Sequence, residues 1–373
     1  MSVYIEVNTL RVLHIGEYVK GGVATYINEV VSYQDKSLDI SEVFLLASKK
    51  NSDKKFGMKK ENILFYEYDR KVKFFFSAMK QIRRVIKEVN PDIVHVHSTF
   101  AGVFLRLPLF FTFKTRSYKV VYCSHGWSFL MEASKFKKIV YSLIEVVLAK
   151  KTDRIINISL HEYNKSIEHK LPKEKSIVIY NGISVEKKLL KNNINIHLDN
   201  SKINLLFVGR FDQQKGLDIL INYFKNNKPT DIILYTIGSE VLGDVKQALP
   251  SSIVNFGWVD NDMIDSYYEK FDALIIPSRW EGFGLVALEA MKNRKAVISS
   301  NRGALPELVI NGVNGYTFDI NNLSSLGKIL DVIDKDKLRE LGNKGYEILQ
   351  QNFNSNTMNN KIIESYSSLL NSK

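Results

Sequence analysis

The chain has 373 residues, enough for two domains at about 150 residues each. With 45% apolar and 25% charged residues it lies in the ordinary globular range, which excludes disordered, collagen-like and disulfide-scaffold classes. The formal net charge is +12, and residues 1–185 carry all of the excess, with 30 Lys and Arg against 18 Asp and Glu, while the remainder holds 22 against 22; this asymmetry points the first half toward an anionic partner.

Residues 1–8 lack a basic start followed by an apolar stretch, so no secretory signal is expected. Apolar runs of strand length then alternate with helical patterns: 11–15 and a helix from Gly22, 43–47, 63–66 and a long helix, 92–97 and a helix, 119–124, 154–158 and 177–180. Such alternation predicts βα units and a parallel sheet. Within this half the longest apolar stretch, 102–113, carries Arg106 and Pro108 and is too short to span a bilayer. The single cysteine, Cys123, excludes an internal disulfide and reads as a buried strand residue.

A polar, turn-rich interval from Asn181-Gly182 to Asn200-Ser201 reads as the linker. Strand-length runs resume at 204–208, 232–237, 253–258, 272–276 and 296–299. The expected organisation is therefore two doubly wound, Rossmann-like α/β domains, residues 1–185 and 186–354, facing a central cleft, with a final helix over 355–373 crossing back onto the first domain. In open parallel sheets ligands collect at the carboxyl ends of the strands, so the chemistry is sought there.

Three strand-end segments carry chemistry. Residues 16–23 place Gly21 and Gly22 before the first helix; they lack the Lys-Ser/Thr of a phosphate loop and the spacing of a dinucleotide fingerprint. The adjacent glycines fit either a close approach of phosphate to backbone N–H groups or a plain βα turn. Residues 209–216 set Arg210 and Lys215 around an equivalent turn in the second domain, where a forked and a point cation can converge on one anion. Residues 277–290 then run from a strand end through Glu281-Gly282-Phe283-Gly284 into an apolar helix that carries Glu289 between Leu288 and Ala290. The positive helix end points at the turn, and a carboxylate among apolar neighbours needs hydrogen-bond partners, as sugar hydroxyls would provide.

Glu281-x7-Glu289 with Gly209-Arg210-x4-Lys215-Gly216 upstream resembles the retaining GT-B glycosyltransferases of the family-4 type, most specifically in the carboxyl-terminal half. Gly21-Gly22-Val23, Asn181-Gly182-Ile183 and the segments from Gly303 to Val309 and Asn311 to Gly315 extend the similarity over nearly the whole chain. The resemblance implies that Arg210 and Lys215 bind a donor diphosphate, that Glu289 holds ribose hydroxyls, and that Glu281, with the turn Gly282, Phe283, Gly284 and Leu285, holds the transferred sugar. It implies Gly21 and Gly22 approaching the diphosphate from the other domain, and His125 near the sugar. It further implies a UDP-sugar donor, a polyprenyl-diphosphate-linked glycan acceptor of O-antigen or capsule type, retention of anomeric configuration without a protein nucleophile, and no metal or other cofactor.

Two possible metal sites are set aside at this level. Asp260-Asn261-Asp262 reads as a helix-capping turn, and His95 and His97, alternating on one strand face, read as strand-end packing without a third ligand. On the acceptor side, residues 70–87 read as an amphipathic helix packed on the sheet, whereas residues 104–116, rich in Phe, Leu and cations, read as a surface at a lipid head-group boundary. An anionic membrane surface is the expected partner, at the inner face of the plasma membrane. The Phe-rich basic segments match no nucleic-acid-binding pattern, so no nucleic acid is expected. The alternatives are a non-catalytic sugar- or nucleotide-binding module on the same fold and a glycosyltransferase acting on a non-lipid acceptor.

Overall fold

The computed structural model describes residues 9–112, 115–187, 194, 196–239, 250 and 253–371. Two compact units divide it, one of Met1–Asn181 with Ser355–Lys373 and one of Gly182–Asn354.

The first unit runs β1 (Leu10–Gly16), α1 (Gly22–Gln34), β2 (Ile40–Ser48), β3 (Ile63–Tyr66), α2 (Phe75–Val89), β4 (Ile93–His97), α3 (Thr99–Arg106), β5 (Lys119–Cys123), α4 (Lys135–Ala149), β6 (Arg154–Asn157), α5 (Leu160–Glu168) and β7 (Ser176–Val178). All strands pair in parallel in the order β3-β2-β1-β4-β5-β6-β7. The central strands β1 and β4 are buried on both faces, which is why they read as continuous apolar runs rather than as alternation. Helix α2 turns Ala78, Ile82, Ile86 and Val89 inward and leaves Phe76 exposed. The strand order reverses between β1 and β4, so their carboxyl ends open a ligand-binding crevice.

The second unit runs β8 (Ile203–Val208), α6 (Leu217–Asn227), β9 (Ile232–Ile237), β10 (Ile253–Asn255), α7 (Ile264–Tyr268), β11 (Ala273–Ile276), α8 (Leu285–Lys292), β12 (Ala296–Ser300), α9 (Leu305–Leu308), β13 (Gly315–Phe318), α10 (Ser324–Leu330) and α11 (Lys335–Asn352). Its parallel order is β10-β9-β8-β11-β12-β13, with the reversal between β8 and β11.

Two sequence expectations change here. Strand β13 went unread because four residues after a glycine turn give no period to detect, and its assignment comes from pairing with β12. Strand β10 stops at Asn255 instead of reaching Trp258: Gly257 is left-handed (φ 73°), the Asn255 side chain accepts its N–H at 2.9 Å, and Trp258 is exposed.

The last helix, α12 (Ser355–Asn371), returns to the first unit and packs against α1. Asn360 accepts from the Tyr33 hydroxyl at 2.6 Å, and the Tyr366 hydroxyl lies 2.6 Å from His95 Nδ1.

Candidate active site

In the second unit, the 209–216 turn leaves β8 at the switch point and is tied to the next strand end by the Arg279 N–H donating to Gln214 O at 2.8 Å. That tie brings Lys215 Nζ to 2.7 Å from Glu281 Oε2, and the Ser278 hydroxyl donates to the same oxygen at 3.2 Å. Lys215 and Glu281 are both largely shielded, so their attraction is little screened by water. Arg210 does not join them on a common partner. Its guanidinium, more exposed, donates to Gln214 Oε1 at 2.9 Å and lies 3.1 Å from Asp212 Oδ2.

The Glu281 backbone is held as firmly as its side chain, because its carbonyl accepts the Ala304 N–H at 3.1 Å. Gly303 lies so close beneath it that a Cβ there would sit 2.0 Å from that oxygen. This explains physically why the 303–309 segment accompanies the Glu281 turn. Gly284, at φ 105°, then starts α8, whose first N–H groups have no carbonyl within the helix to bond. Glu289 lies one turn in, where the Tyr268 hydroxyl donates to it at 3.3 Å. Burial raises its pKa above the usual carboxylate value.

In the first unit, the 16–22 turn follows β1. Glu17 is buried and receives a two-pronged bond from Arg70, at 2.8 and 3.0 Å, while Val19 bonds across to Asn51 and Asp53. The loop is therefore pinned, and Gly21 at φ 56° caps α1 with open space where a side chain would stand. Neighbouring strand ends supply His97 and His125, the latter in a left-handed turn at φ 55°.

These histidines form a chain that the sequence did not reveal. Gln34 Oε1 lies 2.8 Å from His14 Nε2, His14 Nδ1 lies 2.9 Å from His97 Nε2, and His97 Nδ1 lies 2.9 Å from His125 Nε2. With the amide oxygen accepting, each ring donates through Nε2 and accepts at Nδ1, which leaves the His125 Nδ1 lone pair facing Cys123 Sγ at 3.6 Å. Both ring nitrogens of His125 are thus directed into the protein. Burial holds the rings neutral, pushing His14 down to about 4 and His125 to about 3, with His95 and His97 also well below the usual value. Cys123 is buried, and its thiol is pushed up by the same cause.

The reading that His95 and His97 lack a third ligand is corrected by the fold. His14 on the adjacent strand brings a third imidazole, with ligand atoms of the three within 4.8 Å of one another. Among the described residues this is the group with spacing for a metal ion, yet two of its nitrogens already hydrogen-bond each other. Asp260 and Asp262 precede a helix whose N-cap is Met263, without a side-chain cap bond, so neither aspartate occupies the capping position.

The lipid-facing reading of residues 104–116 is corrected at residues 104–106. Phe104 and Leu105 are core residues, and Arg106 is fully buried against Glu145 at 2.8 Å; Phe111 is exposed, and Phe113 and Lys114 lie outside the described residues. The sequence cue of mixed Phe and cations failed because Arg106 finds a buried carboxylate 39 residues away.

The arrangement in the second unit can exchange partners. An anionic oxygen brought to Lys215 would compete with Glu281 for it, and a released Glu281 carboxylate would be free to accept hydrogen bonds in front of the positive end of α8.

The family described as glycosyl transferases group 1 matches residues 190–348, and glycosyltransferase family 4 matches residues 20–187. A 41.2 kDa protein of the cps region of Klebsiella pneumoniae is 35% identical over 373 residues, 96% of this chain and 100% of that one. The UDP-Gal:alpha-D-GlcNAc-diphosphoundecaprenol alpha-1,3-galactosyltransferase of Escherichia coli is 28% identical over 72% of each chain. Among solved structures, Anabaena HepE in complex with UDP and glucose superposes with a TM-score of 0.76 at 18% identity, over 96% of this chain and 100% of its own.

Proposed function

The chain belongs to the family-4 glycosyltransferases of GT-B fold, and from that premise we propose that it moves a hexosyl or N-acetylhexosaminyl unit from a UDP-sugar to a polyprenyl-diphosphate-linked glycan, with retention, in bacterial surface polysaccharide synthesis. The observation that carries the reading is the Lys215–Glu281 pair at the entrance to α8, with Glu289 one turn behind. The Klebsiella and Escherichia relatives support the pathway and the lipid-linked acceptor, and the UDP complex of a structural neighbour supports the donor.

In this reading Arg210 and Lys215 take the diphosphate, Glu289 takes the ribose hydroxyls, and Glu281 with the 282–285 turn orients the transferred sugar. The bond from the anomeric carbon to the β-phosphate oxygen breaks as the acceptor oxygen attacks from the same face. The departing phosphate oxygen takes the acceptor proton, giving UDP and a glycoside. Cations and a helix end aimed at the leaving diphosphate stabilise charge as it develops, commonly the largest catalytic contribution. We assign that charge to side chains rather than to a divalent ion. In the first unit, Gly21, Gly22 and His125 share one sheet edge; in this reading the glycines approach the diphosphate and His125 serves the transferred sugar. Basic residues of this unit hold the enzyme peripherally at an anionic membrane.

Thermal shift against nucleoside diphosphates with EDTA present tests the donor and the metal together. A ligand at a hundred times its Kd adds about 2.7 kcal/mol, so UDP raises the melting temperature and the other nucleotides raise it less. No shift with any nucleotide refutes the transferase reading in favour of a non-catalytic module; a shift that EDTA abolishes refutes the metal-free assignment.

A further inference from the structure

Helix α4 presents an apolar face that the protein leaves uncovered. Phe136, Ile139, Leu143 and Val147 recur at helical spacing and are 75%, 58%, 59% and 48% exposed. A lone exposed apolar residue is ordinary, whereas four on one stripe of a helix about 22 Å long mark an interaction surface. The charges around it are predominantly positive, with Glu132 the exception three residues before the helix. Lys135, Lys137 and Lys138 open the helix, Lys150 and Lys151 follow its end, and among the described residues none of the five is in an ion pair. Glu145, the carboxylate within the helix, is turned inward onto Arg106.

A cavity of about 580 Å³ adjoins the end of this helix, lined by Ile82 and Leu109 and by Arg83, Lys87, Lys150 and Lys151. Asn90, Tyr118 and Lys151, which also line it, lie within three residues before the starts of β4, β5 and β6. The cavity therefore sits at the amino edge of the sheet, opposite the carboxyl edge that carries Gly21, His97 and His125. Apolar walls beside five cations, Arg116 among them, fit a phosphate attached to a hydrocarbon chain.

We propose that α4 is the membrane-docking face of this protein, lying in the head-group boundary of an anionic phospholipid leaflet, with the cavity at its end receiving one lipid's phosphate and the start of its chain. The inference rests on the peripheral-membrane part of the reading above and is independent of the donor. The apolar stripe alone would fit a second copy of the chain, but five like charges around it oppose self-association and favour an anionic leaflet. This face adds α4 to the lipid contact, while Phe104, Pro108, Leu109 and Arg116 of the 104–116 segment line the cavity at its end.

Co-sedimentation of the full chain with phosphatidylcholine vesicles, with and without phosphatidylglycerol, tests the proposal. The wild-type chain is expected to prefer the anionic vesicles. Because each Lys near an anionic leaflet contributes about a fivefold gain, Lys150→Gln/Lys151→Gln should bind about thirtyfold more weakly. Ile139→Ser/Leu143→Ser should lose at least about tenfold on both vesicle types. Both variants should keep the wild-type far-UV circular dichroism and a cooperative thermal transition, which shows that they fold. A wild-type chain with no anionic preference overturns the membrane reading and this face together. A preference that survives both double substitutions overturns the face alone, and a lipid-free dimer that Leu143→Ser converts to monomer overturns it in favour of self-association.

Discussion

Lys215 and Glu281 neutralise each other at 2.7 Å, so removing either strands the other beside the 209–216 turn, which the proposed function assigns to the diphosphate. Glu281→Ala frees Lys215 for the diphosphate while removing the acceptor of sugar hydroxyl bonds; turnover at saturating donor should fall about 10²-fold with donor affinity little changed. Lys215→Ala leaves Glu281 facing the diphosphate and should lower both. Steady-state kinetics separate the two, and near wild-type turnover for Glu281→Ala would sink the assignment. A subtler test is Gly303→Ala. At φ 59° and with a Cβ 2.0 Å from Glu281 O, alanine must displace the Glu281 backbone, so turnover should drop at least about tenfold although residue 303 reaches no ligand. The meeting of these strand ends was legible in the sequence because Lys215 and Glu281 lie in turns whose local pattern announces them, with Glu289 following on the helix that the second turn opens. His14 was not: its partnership with His97 depends on β1 lying beside β4, His14 opposite His95 and Gly16 opposite His97, and strand register between segments 83 residues apart leaves no mark in either.

At the level of elements, α3 and α4 are joined by a charge pair in the core. Arg106 lies over the Tyr122 ring at 3.7 Å and bonds Glu145, which also accepts the Tyr122 hydroxyl at 2.8 Å. Breaking a buried pair from one side leaves an uncompensated charge, so Arg106→Met should cost about 3–5 kcal/mol in urea unfolding. Arg106→Met/Glu145→Gln removes both charges, keeps an acceptor for Tyr122, and should recover most of that loss. If the double variant were no more stable than the single one, the cost would lie in packing around the long Arg stem instead. The same pair explains why residues 104–116 misled: composition cannot tell a cation that snorkels to water from one that meets a carboxylate inside. The exposed stripe of α4 was equally hidden, since an amphipathic pattern does not say which face the fold leaves bare.

Across the whole molecule, the alternation of strand and helix announced two doubly wound sheets, whereas the histidine cluster is assembled by long-range packing alone. Strands β1, β4 and β5, helix α1 and the returning α12 each bring one or two of its members, ending in Tyr366 on His95. Such a cluster makes folding acid-sensitive, and the sign follows from proton binding. Unfolded histidine titrates near 6.5, while folded His14 and His125 take up protons at about 4 and about 3. Between these values the unfolded chain binds more protons, so stability is complete above pH 6.5 and is lost as the pH falls toward the folded values. At pH 5 a histidine held neutral loses on the order of 2 kcal/mol, and four coupled rings do not simply add. Urea unfolding followed in the first unit should therefore weaken steeply from pH 7 to pH 5. His97→Gln, which removes one titrating ring from the middle of the chain, should flatten that slope by about one proton even though it lowers stability at pH 7. A wild-type profile that is flat over this range would mean that the rings are not held neutral, and the hydrogen-bond directions assigned from Gln34 to His125 would fall with it.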